Sequence, residues 1–255
     1  SDLAATPESR CIGLFYHFMT PILFDIETGP IPMAELESMI PPFDPAEVKL
    51  GNIKDPEKIA DKMALAEINH RQSLIDRAAL DAMTGRAALD AMTGRVLAIG
   101  YRPLKSDGNG GLDYSGQFEL IADDDESLLL KKFWQLVRGD MGRINPLIGF
   151  NICLFDLPFL IRRSWKHGIT YPAGLRRGRY WSDQVVDLRD SWQLGDRMAK
   201  GSLDAISRHL GVGQKAGSGK DFHRMWATDR ADAIHYLQKD VELTIQVAKR
   251  LGVVV

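Results

Sequence analysis

The segment Leu23-Phe24-Asp25-Ile26-Glu27-Thr28 carries an apolar run up to two carboxylates in alternate positions. Side chains at i and i+2 of a β-strand leave the same face, so Asp25 and Glu27 are expected side by side at the end of a buried strand. Like charges held that close repel each other. A divalent cation between them relieves the repulsion, and an all-oxygen ligand set suits Mg²⁺ or Mn²⁺. Two later segments add matching chemistry. In Asn151-Ile152-Cys153-Leu154-Phe155-Asp156-Leu157, Asp156 opens a predicted helix among apolar neighbours that bury its base. In His235-Tyr236-Leu237-Gln238-Lys239-Asp240, Tyr236 and Asp240 are four apart on a predicted helix and share a face. A tyrosine hydroxyl there can orient a water that Asp240, through a bound cation, helps to ionise.

A path for a polyanion follows the second segment. Residues 161–180 contain Arg162, Arg163, Lys166, Arg176, Arg177 and Arg179 and no acidic residue, with Trp165, Tyr171 and Tyr180 between them. Cations for phosphates and aromatic faces for bases are what a single-strand groove needs, and Arg176 and Arg177 are taken as substrate contacts. The glycine-rich stretch Gly211–Lys220 lacks the spacing of a phosphate-binding loop, and Asp221 stands where a Ser or Thr would follow the lysine. It reads as a flexible surface loop touching the nucleic-acid backbone.

The 255 residues allow one large α/β domain or two small ones. A net charge of −2 gives no global attraction to nucleic acid, so binding has to come from a local basic patch. Two cysteines, Cys11 and Cys153, provide no disulfide framework and fit a reducing, cytoplasmic setting, with Cys153 expected as an inert core residue. No apolar stretch reaches the roughly 18 residues of a membrane span, so no membrane partner is expected. Residues 1–18 read as a poorly determined leader, and residues 19–255 as a single domain.

The elements that must position these residues follow in order. They are a strand at Pro21–Ile26, an irregular connection over 29–57, and a helical stretch from about Pro56 to Met92. A hairpin follows, of Val96–Tyr101 and Gln117–Ile121 across a turn at Ser106–Gly111. Next come a helix at Asp125–Arg138, a strand at Pro146–Phe150, a helix through Trp165, a strand at Val185–Leu188, and helices at Ser202–Leu210 and Arg230–Leu251. This order predicts a mixed central sheet with helices on its faces. One repeat interrupts the pattern: Arg77–Gly85 and Arg86–Gly94 both read RAALDAMTG. Nine residues are roughly two and a half helical turns. The surplus is expected upstream of the strand at Val96, with Gly85 inside a longer helix and Gly94 ending it; alternatively, one copy loops out or mediates a swapped dimer.

Taken together, Asp25-x-Glu27, Asn151-x-x-x-Phe155-Asp156 and Tyr236-x-x-x-Asp240 resemble the motifs of the DEDD superfamily of 3′-5′ exonucleases. The similarity is greatest to the proofreading exonuclease domain of family-B DNA polymerases and the stand-alone predicted exonucleases related to it. The resemblance spans roughly residues 20–251, and the segment Gly201-Ser202-Leu203-Asp204 to Gly211 also looks like the family's helix before its last motif. It implies a ribonuclease H-like fold, a mixed five-stranded central sheet flanked by helices. It implies a metal-dependent 3′-5′ exonuclease that cuts terminal phosphodiesters of single-stranded DNA with two divalent ions, Mg²⁺ or Mn²⁺. Asp25 would bridge the ions, Glu27 and Asp240 would complete the site for the attacking water, and Asp156 would hold the second ion. Thr28, Asn151 and Phe155 would contact the substrate. The superfamily divides by whether Tyr or His positions the water. Tyr236 and His235 meet both spacings, and Asn151 standing five residues before Asp156, as in the polymerase type, favours Tyr236. An exoribonuclease of the same fold and a catalytically silent nucleic-acid-binding module are the alternatives.

Overall fold

The computed structural model describes residues 19–106, 112–113, 116–139, 143–196, 198–217 and 219–254. The expected leader, Cys11 and most of the turn at Ser106–Gly111 lie outside these residues. The chain divides into two compact units, one of residues up to Thr28 with Val96 onward and one of Gly29–Arg95. The sequence reading takes 19–255 as one domain. The second unit is the stretch between the strand bearing Asp25 and Glu27 and the next strand of the sheet.

The first unit is built on a five-stranded sheet. In chain order its strands are β1 (Ile22–Pro30), β2 (Gly94–Pro103), β5 (Glu119–Ala122), β6 (Leu147–Gly149) and β9 (Val185–Asp187), arranged β5-β2-β1-β6-β9. Pairs β3 (Lys105–Ser106) with β4 (Leu112–Asp113), and β7 (Arg176–Arg177) with β8 (Tyr180–Trp181), form separate two-stranded ribbons. β2 and β5 are antiparallel, with Ile99 opposite Ile121, whereas β1 and β9 each run parallel to β6. The sheet is therefore mixed, and β1 lies at its centre, between β2 and β6. A central strand is covered on both faces, which explains why Ile22, Leu23 and Phe24 are all fully buried.

Among the described residues there are eight α-helices, and the two in the second unit are α1 (Met33–Ser38) and α2 (Pro56–Met83). The first unit holds α3 (Glu126–Val137), α4 (Asp156–Lys166), α5 (Leu188–Gln193), α6 (Leu203–Leu210), α7 (Phe222–Thr228) and α8 (Arg230–Arg250). Side-chain caps set most of their starts. Asp125, Asp187, Ser202 and Asp229 each accept a backbone N–H of the first turn that follows. α8 buries Ala233, Leu237, Val241, Thr244 and Ala248, a 3.6-period stripe. It approaches the sheet so closely that a Cβ on Gly100 would lie 2.7 Å from Leu237 Cγ. None of the described helices is long and apolar enough to cross a membrane.

Several boundaries differ from expectation. α2 ends at Met83, not Met92, because Gly85 takes φ +73° and closes the helix instead of lying within it. Gly94 does not end a helix but opens β2. The two identical segments thus fold differently. The first is helical, and the second forms a 3₁₀ turn at Ala87–Leu89. There the Asp90 carboxylate accepts the Met92 N–H at 2.9 Å, and the Asp90 carbonyl accepts the Thr93 N–H. One copy is looped out, as the alternative reading had it. Helices α1, α5 and α7 were not anticipated. Cys153 sits half-buried in the turn before α4, not in the core.

The basic segment also holds a correction. Arg163 belongs to no substrate path: it is 2% exposed, and its Nη2 lies 2.6 Å from Glu126 Oε2. Glu126 further accepts the Val96 N–H at 2.8 Å and lies 2.9 Å from His167 Nε2. Burial pushes the Glu126 carboxyl up, but Arg163, the Val96 N–H and His167 outweigh it and hold it below its ordinary 4.5. A carboxylate with a depressed folded pKa contributes its full stability above pH 4.5 and loses it as pH falls through the folded value. Arg163→Met should therefore cost about 3–5 kcal/mol in urea unfolding at pH 7 by stranding the buried charge, and that cost should shrink below pH 4.5 as Glu126 takes up a proton.

Candidate active site

β1 presents Asp25 and Glu27 on one face, as its two-residue period requires. Tyr236 and Asp240 follow each other by one turn of α8, flanking its buried stripe. The close packing of α8 on the sheet brings the two faces together. Carboxylate oxygens of Asp25, Glu27 and Asp240 all lie within 4.8 Å of one another. Glu27 and Asp240 are 8% and 1% exposed. Asp156 joins from the start of α4, where its Oδ1 accepts the Ile26 N–H of β1 at 3.2 Å. Its negative end meets the positive end of the helix. It stands outside the tight trio yet acts on the same charges.

The electrostatics record the crowding. Burial and then the Asp240 charge push the Asp25 carboxyl up to about 7, against relief from Lys215 and the Ile26 N–H. Glu27 is raised well above its ordinary range by burial, Asp25 and Asp240. Asp156 is raised by burial and Asp25. Burial raises Asp240 further than Lys215 and Tyr236 pull it back. The Tyr236 hydroxyl is held protonated by burial and by the facing Asp240 and Glu27 carboxylates. Hard carboxylate oxygens that are buried, clustered and proton-hungry suit a divalent cation.

Tyr236 is buried and faces this site, whereas His235 is exposed. Of the two residues that meet the double spacing, Tyr236 is the one placed beside the carboxylates. The other predicted residues are more dispersed. Thr28 is buried at the end of the same strand segment. Phe155 directly precedes α4 and packs its ring 5.6 Å from Phe159. Asn151 stands in the turn before α4, with its side chain bonded to Arg189. Arg176 and Arg177 are exposed on the β7–β8 ribbon, outside the acidic cluster. The Arg176 guanidinium lies over the Trp181 ring, and Trp181 Nε1 donates to Cys153 O at 3.2 Å, tying the ribbon to the turn that precedes Asp156.

The site also holds a residue the sequence reading missed. The Gly211–Lys220 loop is not simply a surface feature. Lys215 Nζ lies 2.7 Å from Asp240 Oδ2, and a Cβ on Gly219 would stand 3.7 Å from both Glu27 Oε2 and Tyr236 Oη. The loop is anchored where Asp204 Oδ1 accepts the Lys215 N–H at 2.8 Å. Burial lowers the Lys215 pKa, but Asp240, Asp25 and Glu27 together raise it, so the ammonium stays charged. The one sequence signal that could have led to it is the excess of carboxylates over cations in the three motifs.

A family model described as a predicted 3′-5′ exonuclease related to the exonuclease domain of PolB matches residues 96–252. The chain belongs to this family. Asp156, Lys215, Tyr236 and Asp240 of the predicted exonuclease fall within the matched span, while Asp25 and Glu27 precede it. Its fold is similar to that of the family B DNA polymerase from the hyperthermophilic archaeon Pyrobaculum calidifontis, with a TM-score of 0.52 and 16% identity. The likeness covers 92% of this chain and 24% of the polymerase, so the exonuclease chain spans about a quarter of that protein's length. The sheet expected from the sequence, mixed and five-stranded with flanking helices, is the ribonuclease H-like arrangement of such a domain. Comparison with curated proteins finds no match.

Two outcomes follow from this site. Tyr236→Phe should lower turnover about a hundredfold, while His235→Ala leaves it within a few fold, both read by steady-state cleavage of a labelled oligonucleotide. The second concerns the EDTA-treated protein. A folded Asp25 with a pKa near 7, above its ordinary 3.8, keeps a proton that the unfolded chain releases. Stability should thus rise as pH falls from 8 to 6. Added Mn²⁺ needs the ionised carboxylates, so it should raise the melting temperature more at pH 8 than at pH 6.

Proposed function

We propose that this chain removes nucleotides from the 3′ end of single-stranded DNA by hydrolysing the terminal phosphodiester, with two divalent cations, Mg²⁺ or Mn²⁺, as cofactors. The convergence of Asp25, Glu27 and Asp240 within 4.8 Å, with the Tyr236 hydroxyl facing them, carries this reading. Asp25, Glu27 and Asp240 would hold one cation, and Asp25 with Asp156 the other. Cations held there would supply Lewis acidity, to lower the pKa of the attacking water and to stabilise the leaving 3′-oxygen.

The protein's own groups do the rest. Tyr236, protonated at neutral pH, orients the water by hydrogen bonding. The Lys215 ammonium offsets part of the carboxylate charge and limits repulsion of an incoming phosphate. The Ile26 N–H holds Asp156 in place. The water oxygen bonds to phosphorus as the bond to the 3′-oxygen breaks, the proton lost by the water leaves to solvent, and the 3′-oxygen takes up a proton from solvent to become the new terminal hydroxyl. Water is the nucleophile, so no covalent enzyme intermediate is required. Arg176, Arg177 and Arg179, with Tyr180 exposed among them, supply phosphate and base contacts for the strand. A single strand is favoured over a duplex because aromatic stacking requires unpaired bases.

A 5′-labelled single-stranded DNA incubated with Mn²⁺ or Mg²⁺ should shorten from its 3′ end as a ladder. EDTA and Asp25→Ala should abolish the ladder. Shortening of a matched RNA but not of DNA would make the chain an exoribonuclease, and binding of either without cleavage would make it a silent binding module. Reversing charge at Arg176→Glu and Arg177→Glu should weaken binding and flatten its dependence on salt, since fewer counterions are released.

A further inference from the structure

Asn151 adopts φ +64°, a conformation shared by only one other described non-glycine residue. Asparagine tolerates it better than most residues, and a built cluster holds it there. Its N–H donates to Asp187 Oδ1 at 2.7 Å, and the Cys153 N–H donates to Asp187 Oδ2 at 2.9 Å. Asp187 ends β9 opposite Gly149 of β6 and caps α5 by accepting the Arg189 N–H at 2.9 Å. Arg189 then returns across the gap, its Nη1 donating to Asn151 Oδ1 at 2.8 Å. Its Nε is buried without a partner among the described residues.

A guanidinium has five donors and no acceptor. The Asn151 atom facing it is therefore the carbonyl oxygen, which turns the NH₂ group the other way. Nothing among the described residues accepts a hydrogen bond from that NH₂. The cluster borders the acidic site. Asp156 opens α4 five residues after Asn151, and the Asp187 charge contributes to the upward push on the Asp156 carboxyl.

We infer that Arg189 is a positioning residue, fixing Asn151 as a hydrogen-bond donor towards an acceptor oxygen of the 3′-terminal nucleotide. The inference rests on the nuclease reading above and adds the residue that sets the polarity of the contact. Arg189 touches no substrate itself. Without it the carboxamide is free to rotate, and half its orientations present an acceptor to an acceptor.

The test is steady-state cleavage of 5′-labelled oligothymidylate with Mn²⁺ by the full chain, comparing Arg189→Met, Arg189→Lys, Asn151→Ala, Asn151→Asp and the double variant Arg189→Met/Asn151→Ala. Arg189→Met should raise KM about tenfold, the equivalent of one lost hydrogen bond, with kcat little changed. Arg189→Lys keeps a donor and should recover most of the loss. Asn151→Asp still accepts from Arg189 but cannot donate, and should match Arg189→Met; it carries the test if Arg189→Met fails to fold. In the Asn151→Ala background, removing Arg189 should add nothing. An unchanged KM in active, folded Arg189→Met would overturn the inference and leave the nuclease reading standing, whether or not the melting temperature falls. So would an undiminished effect in the Asn151→Ala background. A wild-type chain that cuts neither DNA nor RNA would overturn the nuclease reading and this inference with it.

Discussion

The first unit is organised around one electrostatic problem, the confinement of four carboxylates in a place where water cannot screen them. Burial alone disfavours their ionised forms, and their mutual repulsion adds to it. The fold answers with three fixed features. The Ile26 N–H takes up Asp156, the first turn of α4 lends it a positive end, and Lys215 places an ammonium against Asp240. Each feature constrains a different element. β1 must be central, α4 must begin at the end of β6, and the loop before α7 must fold back over α8. A site that is costly when empty of cations is for the same reason a strong one for capturing them.

That arrangement also assigns a task to an otherwise ordinary helix. Ser202 caps α6, which places Asp204 in its first turn, and Asp204 accepts the Lys215 N–H while pairing with Arg208 at 3.0 Å. The short helix thus sets the path of a loop ending in the acidic pocket. Lys215 is held through its backbone, so its flexible side chain has only to reach across to Asp240.

What was legible in the sequence is what regular geometry dictates. Alternation along a strand placed Asp25 with Glu27, and helical period placed Tyr236 with Asp240, whereas His235 met the family spacing too and only its exposure on α8 separates it from them. The order of elements predicted a mixed sheet, while which strands run parallel came only with the structure. The parts that escaped were governed by non-local partners. Composition identified a run of basic residues after Asp156, but not that Arg163 would be buried against Glu126, thirty-seven positions earlier. A glycine-rich loop has no periodicity, so nothing local marks Lys215 as the residue drawn into the site. Asp187, which secures Asn151 and caps α5, sits in a three-residue strand too short to advertise its role.

The duplicated nonapeptide in the second unit bears on how a chain reads its own code. Two identical stretches of nine residues stand end to end, one helical and one turned, and the exposed leucine and methionine of each remain exposed. The difference comes from what flanks them. The first copy inherits a helix already propagating from Asp55, so nucleation has been met before it begins. The second starts beyond Gly85 and runs into a strand. The nonapeptide is therefore a chameleon, and the boundary between its two conformations is set by a single left-handed glycine. The first copy carries in its own last residue, Gly85, what stops the helix before the second copy begins.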